Sequence, residues 1–340
     1  HSSGFSGVPL AEYYRRFAAE CGFNAETVAA TEFLVANWRA FRTHAEEEQA
    51  GDDQVEVFRA LCGTEQRLHA LYVFTCADRL GWQSEQSHAA HWVSICELYV
   101  KTRRAFHPAA IEPERTLAPA GWAPEEVRIL ADFGKDFFSG LYHAHANRFG
   151  ADLVRLAESE QADAAPKAAL LHEGASHILG VAARDFRGLA ACISGALWKE
   201  QIGLVQAHFF SATKYGLALD FFHLAPGAQA LPDHLPRIVQ EAVGAQLHIA
   251  RSDEAGLPRL SGAAELHESR PGEFRLRCEA AGDTGGLIYA LCLKLFLHLG
   301  ADIHGLSASA TRAGSFVIIH HSLPASLALE EARRIVREKF

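Results

Sequence analysis

Asp185-Phe186-Arg187-Gly188-Leu189 returns 98 residues on (185 to 283) as Asp283-Thr284-Gly285-Gly286-Leu287. The same spacing carries Ser211-Ala212-Thr213-Lys214 and Gly216 onto Ser309-Ala310-Thr311-Arg312 and Gly314. Upstream, Ala168-Ala169-Leu170-Leu171-His172-Glu173 matches Ala263-Ala264-Glu265-Leu266-His267-Glu268 at a spacing of 95 (168 to 263). Matches at a nearly constant spacing mark one structural unit used twice.

Each copy has a readable pattern. Phe274–Ala280 alternates apolar and polar residues, as a half-buried strand does. Ile288, Leu291, Cys292, Leu295, Phe296 and Leu299 then recur at helical spacing. Strand-like segments flank Thr311–Gly314, and an amphipathic helix spans about Ser326–Arg337. The first copy predicts a strand near Ile178–Ala183, a helix over Gly188–Glu200, strands over Leu204–Ser211 and Leu217–Leu224, and a helix over Leu235–Val243. Strand, helix, hairpin, helix is a ferredoxin-like βαββαβ pattern, with helices on one face of an antiparallel sheet. Arg251–Gly262 reads as the linker between copies, and Glu158–Pro166 separates them from what precedes.

In both copies Asp-x-x-Gly-Leu falls where a strand turns into a helix. Asp185 and Asp283 suit capping of free N–H groups, and Gly188 and Gly286 allow close approach to the backbone. A helix start also attracts a carboxylate. Capping alone and ligand binding both fit this motif.

Residues 9 to about 157 read as helical, with Tyr13–Ala18 and Thr27–Ala40 at helical spacing. Asp53 with Glu56 suggests a capping box, Pro124 suits a first helical position, and Trp82, Trp92 and Phe106 are simplest as core residues. Composition is that of a globular chain, 49% hydrophobic and 21% charged. A net charge of −9 argues against a nucleic-acid partner, and Lys101, Arg103 and Arg104 read as a solvated helix face. No apolar run approaches the ~18–20 residues of a bilayer span, so no membrane partner is expected. Seven cysteines without CxxC spacing suit reduced thiols, and no leader pattern is visible; the expected location is the cytoplasm.

The repeated unit resembles a tandem pair of ACT domains, regulatory modules that bind amino acids at domain interfaces and use the Asp-x-x-Gly-Leu turn as ligand loop. Ala218-Leu219-Asp220-Phe221-Phe222 is further similar to a strand in the C-terminal ACT pair of the bifunctional PII uridylyltransferase/uridylyl-removing enzyme family; the second copy has Ile318 in place of that Asp. Cys62–Asp78 resembles the end of that family's HD domain, and Glu97-Leu98-Tyr99 with Thr102-Arg103-Arg104 the helix after it. The resemblance implies three domains: a helical HD-like domain over 1–157, degenerate or incomplete, and ACT domains over 165–250 and 263–340.

HD chemistry needs His and Asp ligands around one or two cations. No His-Asp doublet is present, Asn37-Trp38 stands where the family has a His pair, and of the expected ligands Asp78 remains, with His1 as a weaker second. No cofactor is therefore expected, a divalent metal only if that site were complete. His88 with His91 and His143 with His145 read as surface or hydrogen-bonded histidines. Asp132-Phe133-Gly134 lacks the companion motifs of a kinase, and no Gly-x-Ser-x-Gly elbow, P-loop or dinucleotide fingerprint occurs.

The leading expectation is an amino-acid sensor binding a small ligand, glutamine by resemblance, with a PII-type signalling protein as the implied partner. Its ligand residues would be Asp185, Arg187, Gly188, Leu189, Asp283, Thr284, Gly285, Gly286 and Leu287. An HD-type phosphohydrolase acting through Asp78, and a ligand-free interaction module, are the alternatives.

Overall fold

Helical apolar spacing in the first third of the chain produces α1 (Leu10–Glu20), α2 (Ala25–Asn37), α3 (Ala40–Ala45), α4 (Asp52–Cys62), α5 (Glu65–Leu80) and α6 (Ala89–Ala105). The computed structural model describes residues 10–45, 52–80, 89–107, 121–159, 165–173, 176–225, 231–245, 264–280, 284–311 and 314–340. The chain divides into two units, residues 1–84 with 94–108, and residues 85–93 with 109–340.

In the first unit Leu68, Leu71, Leu98 and Phe58 are fully buried. Phe41 packs on Phe58 at 4.6 Å, and Tyr72 stacks on Tyr99 at 4.0 Å. Asn24 caps α2 by accepting from the Thr27 N–H at 2.8 Å. Asp53, expected as a cap, lies instead inside the first turn of α4, and Glu56 pairs with Arg59 at 2.8 Å. The basic cluster is a solvated face only at Arg103, which is exposed; Lys101 and Arg104 are half-buried. Lys101 meets the buried Glu97 at 2.8 Å, and Arg103 meets Glu65 at 2.9 Å. Burial lowers the Arg104 pKa to about 10. Trp92 and Phe106 are half-buried, while Trp82 lies outside the described residues.

The second unit opens with α7 (Pro124–Asp132), α8 (Gly134–Ser139), a 3₁₀ segment (Tyr142–Arg148) and α9 (Gly150–Glu158). Pro124 starts α7 as expected, and the Glu126 carboxylate accepts from the Ala123 N–H at 2.8 Å. These segments, placed with the first domain on sequence, share a core with the sheet that follows: Phe137, Phe149, Leu153, Ile178, Leu219 and Phe221 cluster together.

The first repeat then runs β1 (Lys167–Glu173), β2 (Ser176–Arg184), α10 (Leu189–Lys199), β3 (Leu204–His208), β4 (Ser211–Ala212), β5 (Leu217–Leu224) and α11 (Leu235–Gly244). The second runs β6 (Ala264–Arg270), β7 (Glu273–Ala280), α12 (Thr284–Lys294), a π turn (Leu295–Leu299), β8 (Asp302–Thr311), β9 (Gly314–Ser322) and α13 (Leu329–Lys339). Among the described residues the order is thus ββαββα, with the short β4 added in the first repeat, rather than βαββαβ. The outer strand comes from before the first paired strand, and the matched segments at 168 and 263 are that strand. In the second repeat, Glu265, His267, Glu268, Ser269 and Arg270 make it too polar for an apolar alternation to reveal.

All strands join in one antiparallel sheet, ordered β1-β2-β5-β3-β8-β9-β7-β6, with β4 paired to β5. The repeats meet where β3 pairs with β8: Ala207 faces Leu306, flanked by Gln206 opposite Ser307 and His208 opposite Gly305. A pseudo-two-fold axis passes through that central pair. On one face of the sheet α10 and α12 lie side by side over a single core spanning both repeats, with Ile193, Leu276, Leu291 and Ile319 fully buried. Each such side chain contributes about 1.5–3 kcal/mol. The opposite face of the first repeat is covered by α7–α9, where Tyr142 stacks on Phe221 at 4.6 Å and bonds His223 at 2.8 Å through its hydroxyl.

Small residues on α10 set the helix spacing. A Cβ at Gly195 would lie 2.7 Å from the Tyr289 ring of α12. Gly195→Leu should therefore overpack this contact and cost about 1–3 kcal/mol, read as a lower thermal midpoint. An unchanged midpoint would show that the two helices do not approach this closely.

Candidate ligand-binding site

The turn after β2 is built by main-chain bonds. Asp185 N–H donates to Gly216 C=O at 2.9 Å, and Leu189 N–H to Phe186 C=O at 3.1 Å. Gly188 starts α10 with φ of 99°, a left-handed backbone that requires glycine. No side chain caps the helix there. Asp185, expected to cap it, turns its carboxylate to the Ser211 side chain instead.

This turn forms one wall of a small open cleft of about 30 Å³. The first repeat lends Asp185, Gly188, Ala191, Phe209, Ser211 and Asp220. From the second come Cys292, Phe296, Ala301, Asp302 and Ile303. The site exists only because β3 and β8 hold the repeats together. The π turn after α12 widens the helix end, and Gly300, left-handed with φ of 57°, leads the chain back so that Phe296 and Asp302 both reach the cleft.

The expected site residues separate. Asp185, Gly188 and Leu189 line the cleft; Arg187 is exposed and outside its lining. Asp283 lies outside the described residues, and Thr284, Gly285 and Gly286 belong to the first turn of α12, with Leu287 buried. Asp302, Phe296 and Ser211 were not foreseen. Asp220 had a signal, an acid inside the otherwise apolar Leu217–Phe222, although it was not counted among the ligand residues.

Three carboxylates converge here. Asp220 is 2% exposed and accepts from the Phe210 N–H at 3.4 Å. Desolvation first, then Asp185, raises its pKa well above the usual aspartate value, with Asp302 adding to the effect. Desolvation also raises Asp185, opposed by the Ser211 hydrogen bond and reinforced by Asp302. Although Asp185 as a residue is exposed, its carboxyl faces into the cleft wall, where water is partly excluded.

The second repeat does not reproduce this site. Ala207 faces Phe222 on β5, and its counterpart Leu306 faces Ile319 on β9. Two residues back along each strand, Val317 takes the place of Asp220; the register replaces Ile318 as the counterpart, and the position is apolar either way. Leu204 faces Leu224 as Ile303 faces His321, so Gly203 corresponds to Asp302. Across the helices, Ala191 and Phe296 correspond to Tyr289 and Trp198, which stack at 5.4 Å. An aromatic pair stands where the first cleft is open.

Elsewhere, Asp78 is exposed on α5, and the Asn37 side chain donates to Phe33 C=O at 2.8 Å. Among the described residues no group of three or more His, Cys, Asp or Glu is placed to hold a metal ion. Asp78 alone does not fit a divalent ion; His1 lies outside the described residues. His143 Nδ1 bonds Gly140 C=O at 3.3 Å, as a hydrogen-bonded histidine would. No helix among the described residues is long and apolar enough to cross a membrane.

With this geometry stands a likeness to a class of nucleotidyl-transferring and -removing enzymes, extending over most of the chain. The chain is 24% identical over 314 residues to the bifunctional uridylyltransferase/uridylyl-removing enzyme of Cupriavidus pinatubonensis. It is 25% identical over 313 residues to that of Ralstonia nicotianae. Each match covers 84% of this chain but only 35% and 36% of the relatives, so the chain spans about a third of their length. No family model and no solved structure matches the chain.

The buried acids set a pH dependence. A carboxyl with a raised pKa favours the folded chain in its protonated form. That contribution is complete below the unfolded aspartate value of about 3.9 and is lost as pH rises through the raised folded value. Asp220→Asn should therefore unfold at a higher temperature than the parent at neutral pH, with the advantage shrinking toward pH 4. Parallel curves between pH 4 and 8 would refute an acid strained by burial.

Proposed function

We propose that this chain is an amino-acid-sensing regulatory protein, its two ββαββα repeats being an ACT pair that binds one small amino acid. The supporting observation is the cleft between the repeats, in which opposite poles adjoin. Asp185, Asp220 and Asp302 offer negative charge, and the uncapped start of α10, with Ala190 and Ala191 at the cleft wall, offers main-chain donors. A zwitterion matches both, while Phe209, Phe296 and Ile303 suit the aliphatic part of its side chain. The motif resemblance described for the sequence implies glutamine as ligand and a PII-type signalling protein as partner, in the cytoplasm, with the helical first unit as an HD-like response element. Binding would shift the repeats relative to one another only if two arrangements differ in affinity.

The test is thermal unfolding against a panel of free amino acids, glutamine included. At 100 times the dissociation constant a ligand adds ~2.7 kcal/mol to the native state. The unit that binds should then melt several degrees higher, at about 2–4 °C per kcal/mol. Calorimetry should give one ligand per chain, because Trp198 and Tyr289 stand in the counterpart position. Ala191→Tyr, which copies Tyr289 into the open cleft, should abolish the response in a folded protein. No shift with any amino acid would overturn the reading.

A further inference from the structure

The cleft is unusual in its charge. Its lining holds three carboxylates and no basic side chain. Asp220 is the extreme case: nine-tenths and more buried, it has one oxygen near the Phe210 N–H at 3.4 Å, a long bond, and no partner for the other among the described residues. An acid buried this way is costly unless a donor or cation completes it. The sheet supplies none, since Asp220 sits opposite Val181 on β2. Asp220 lines the cleft, so a donor can reach it from there.

We infer that the cleft recognises its ligand through a primary ammonium group, with Asp220 as the specificity-determining residue and Asp302 and Asp185 completing the negative pole. This rests on the amino-acid reading for the rest of the ligand but concerns a different part of it. The ammonium donates up to three hydrogen bonds and brings one positive charge to three acids. It also restores the charged form of Asp220, which burial and its neighbours otherwise disfavour. Ligands with an anionic side chain are disfavoured, because a second carboxylate would enter a site already negative. At the counterpart position Val317 and Gly203 stand in the places of Asp220 and Asp302.

The experiment is calorimetric titration of the full chain and of Asp220→Asn with glutamine, glutamate, N-acetylglutamine and putrescine. Asn keeps the shape of the protonated acid, and an undiminished thermal midpoint shows the variant is folded. Loss of a charged hydrogen bond weakens binding about tenfold or more. Asp220→Asn should lose that much for glutamine; N-acetylglutamine should be as weak on the parent and no weaker on the variant. Asp302→Asn, at an exposed position, should lose less, and glutamate should bind more weakly than glutamine. Equal binding of glutamine to parent and Asp220→Asn overturns the inference and leaves the amino-acid reading standing. Binding of putrescine alone, lost in Asp220→Asn, upholds ammonium recognition and removes the amino-acid reading. Binding of none of the four overturns both.

Discussion

Three residues of antiparallel ladder, Gln206–His208 against Gly305–Ser307, decide what the rest of the sheet unit can be. Each repeat alone would expose an inner strand with a row of unmatched N–H and C=O groups. Paired, β3 and β8 close those edges on one another and bring α10 and α12 into contact over a shared core. The cleft is a product of the same junction. Its Asp185 turn belongs to one repeat and its Phe296–Ile303 wall to the other, and neither is a site without the pairing.

Much of this was legible in the residues. The repeated Asp-x-x-Gly-Leu turns, the helices after them and the hairpins that follow lie close to where periodicity placed them, since apolar alternation and helical spacing are strong there. The outer strand of the second repeat was hidden for a physical reason: β6 lies at the sheet edge and carries mostly polar side chains, so burial imposes little pattern on it. The segment Pro124–Glu158 reads as helical in any context, and only its packing against Ile178 and Phe221 shows which unit it serves. Within the site, the loop residues of the first repeat were found because the motif repeats. Asp302 and Phe296 were not, because they enter the cleft from 110 or so residues away in sequence and carry no local mark. The acid inside Leu217–Phe222 was a visible anomaly; its meaning required knowing which face of the strand it occupies.

The two repeats show how far a common fold can diverge chemically. In the first, an apolar strand interior contains an acid, and the helix opposite carries Ala191, small enough to leave room. In the second, the register places Val317 at the acid's position and Tyr289 at the alanine's, and the space is taken by stacked rings. One side is filled by stacked rings; the other is open and lined by like charges. Proteins commonly hold such local conflicts where they bind, and balance them with a rigid surround.

The pseudo-two-fold at Ala207 and Leu306 also bears on ancestry. A pair of identical chains meeting across this axis would have two identical clefts, and any substitution would appear in both at once. Joining the halves in one polypeptide removes that constraint. Each position can then change alone, so one of the two symmetry-related clefts is free to fill in, contributing stability through Trp198 and Tyr289, while the other keeps a costly charged opening. The asymmetry of the present sheet is the kind of specialisation that covalent fusion permits and that a symmetric dimer cannot reach.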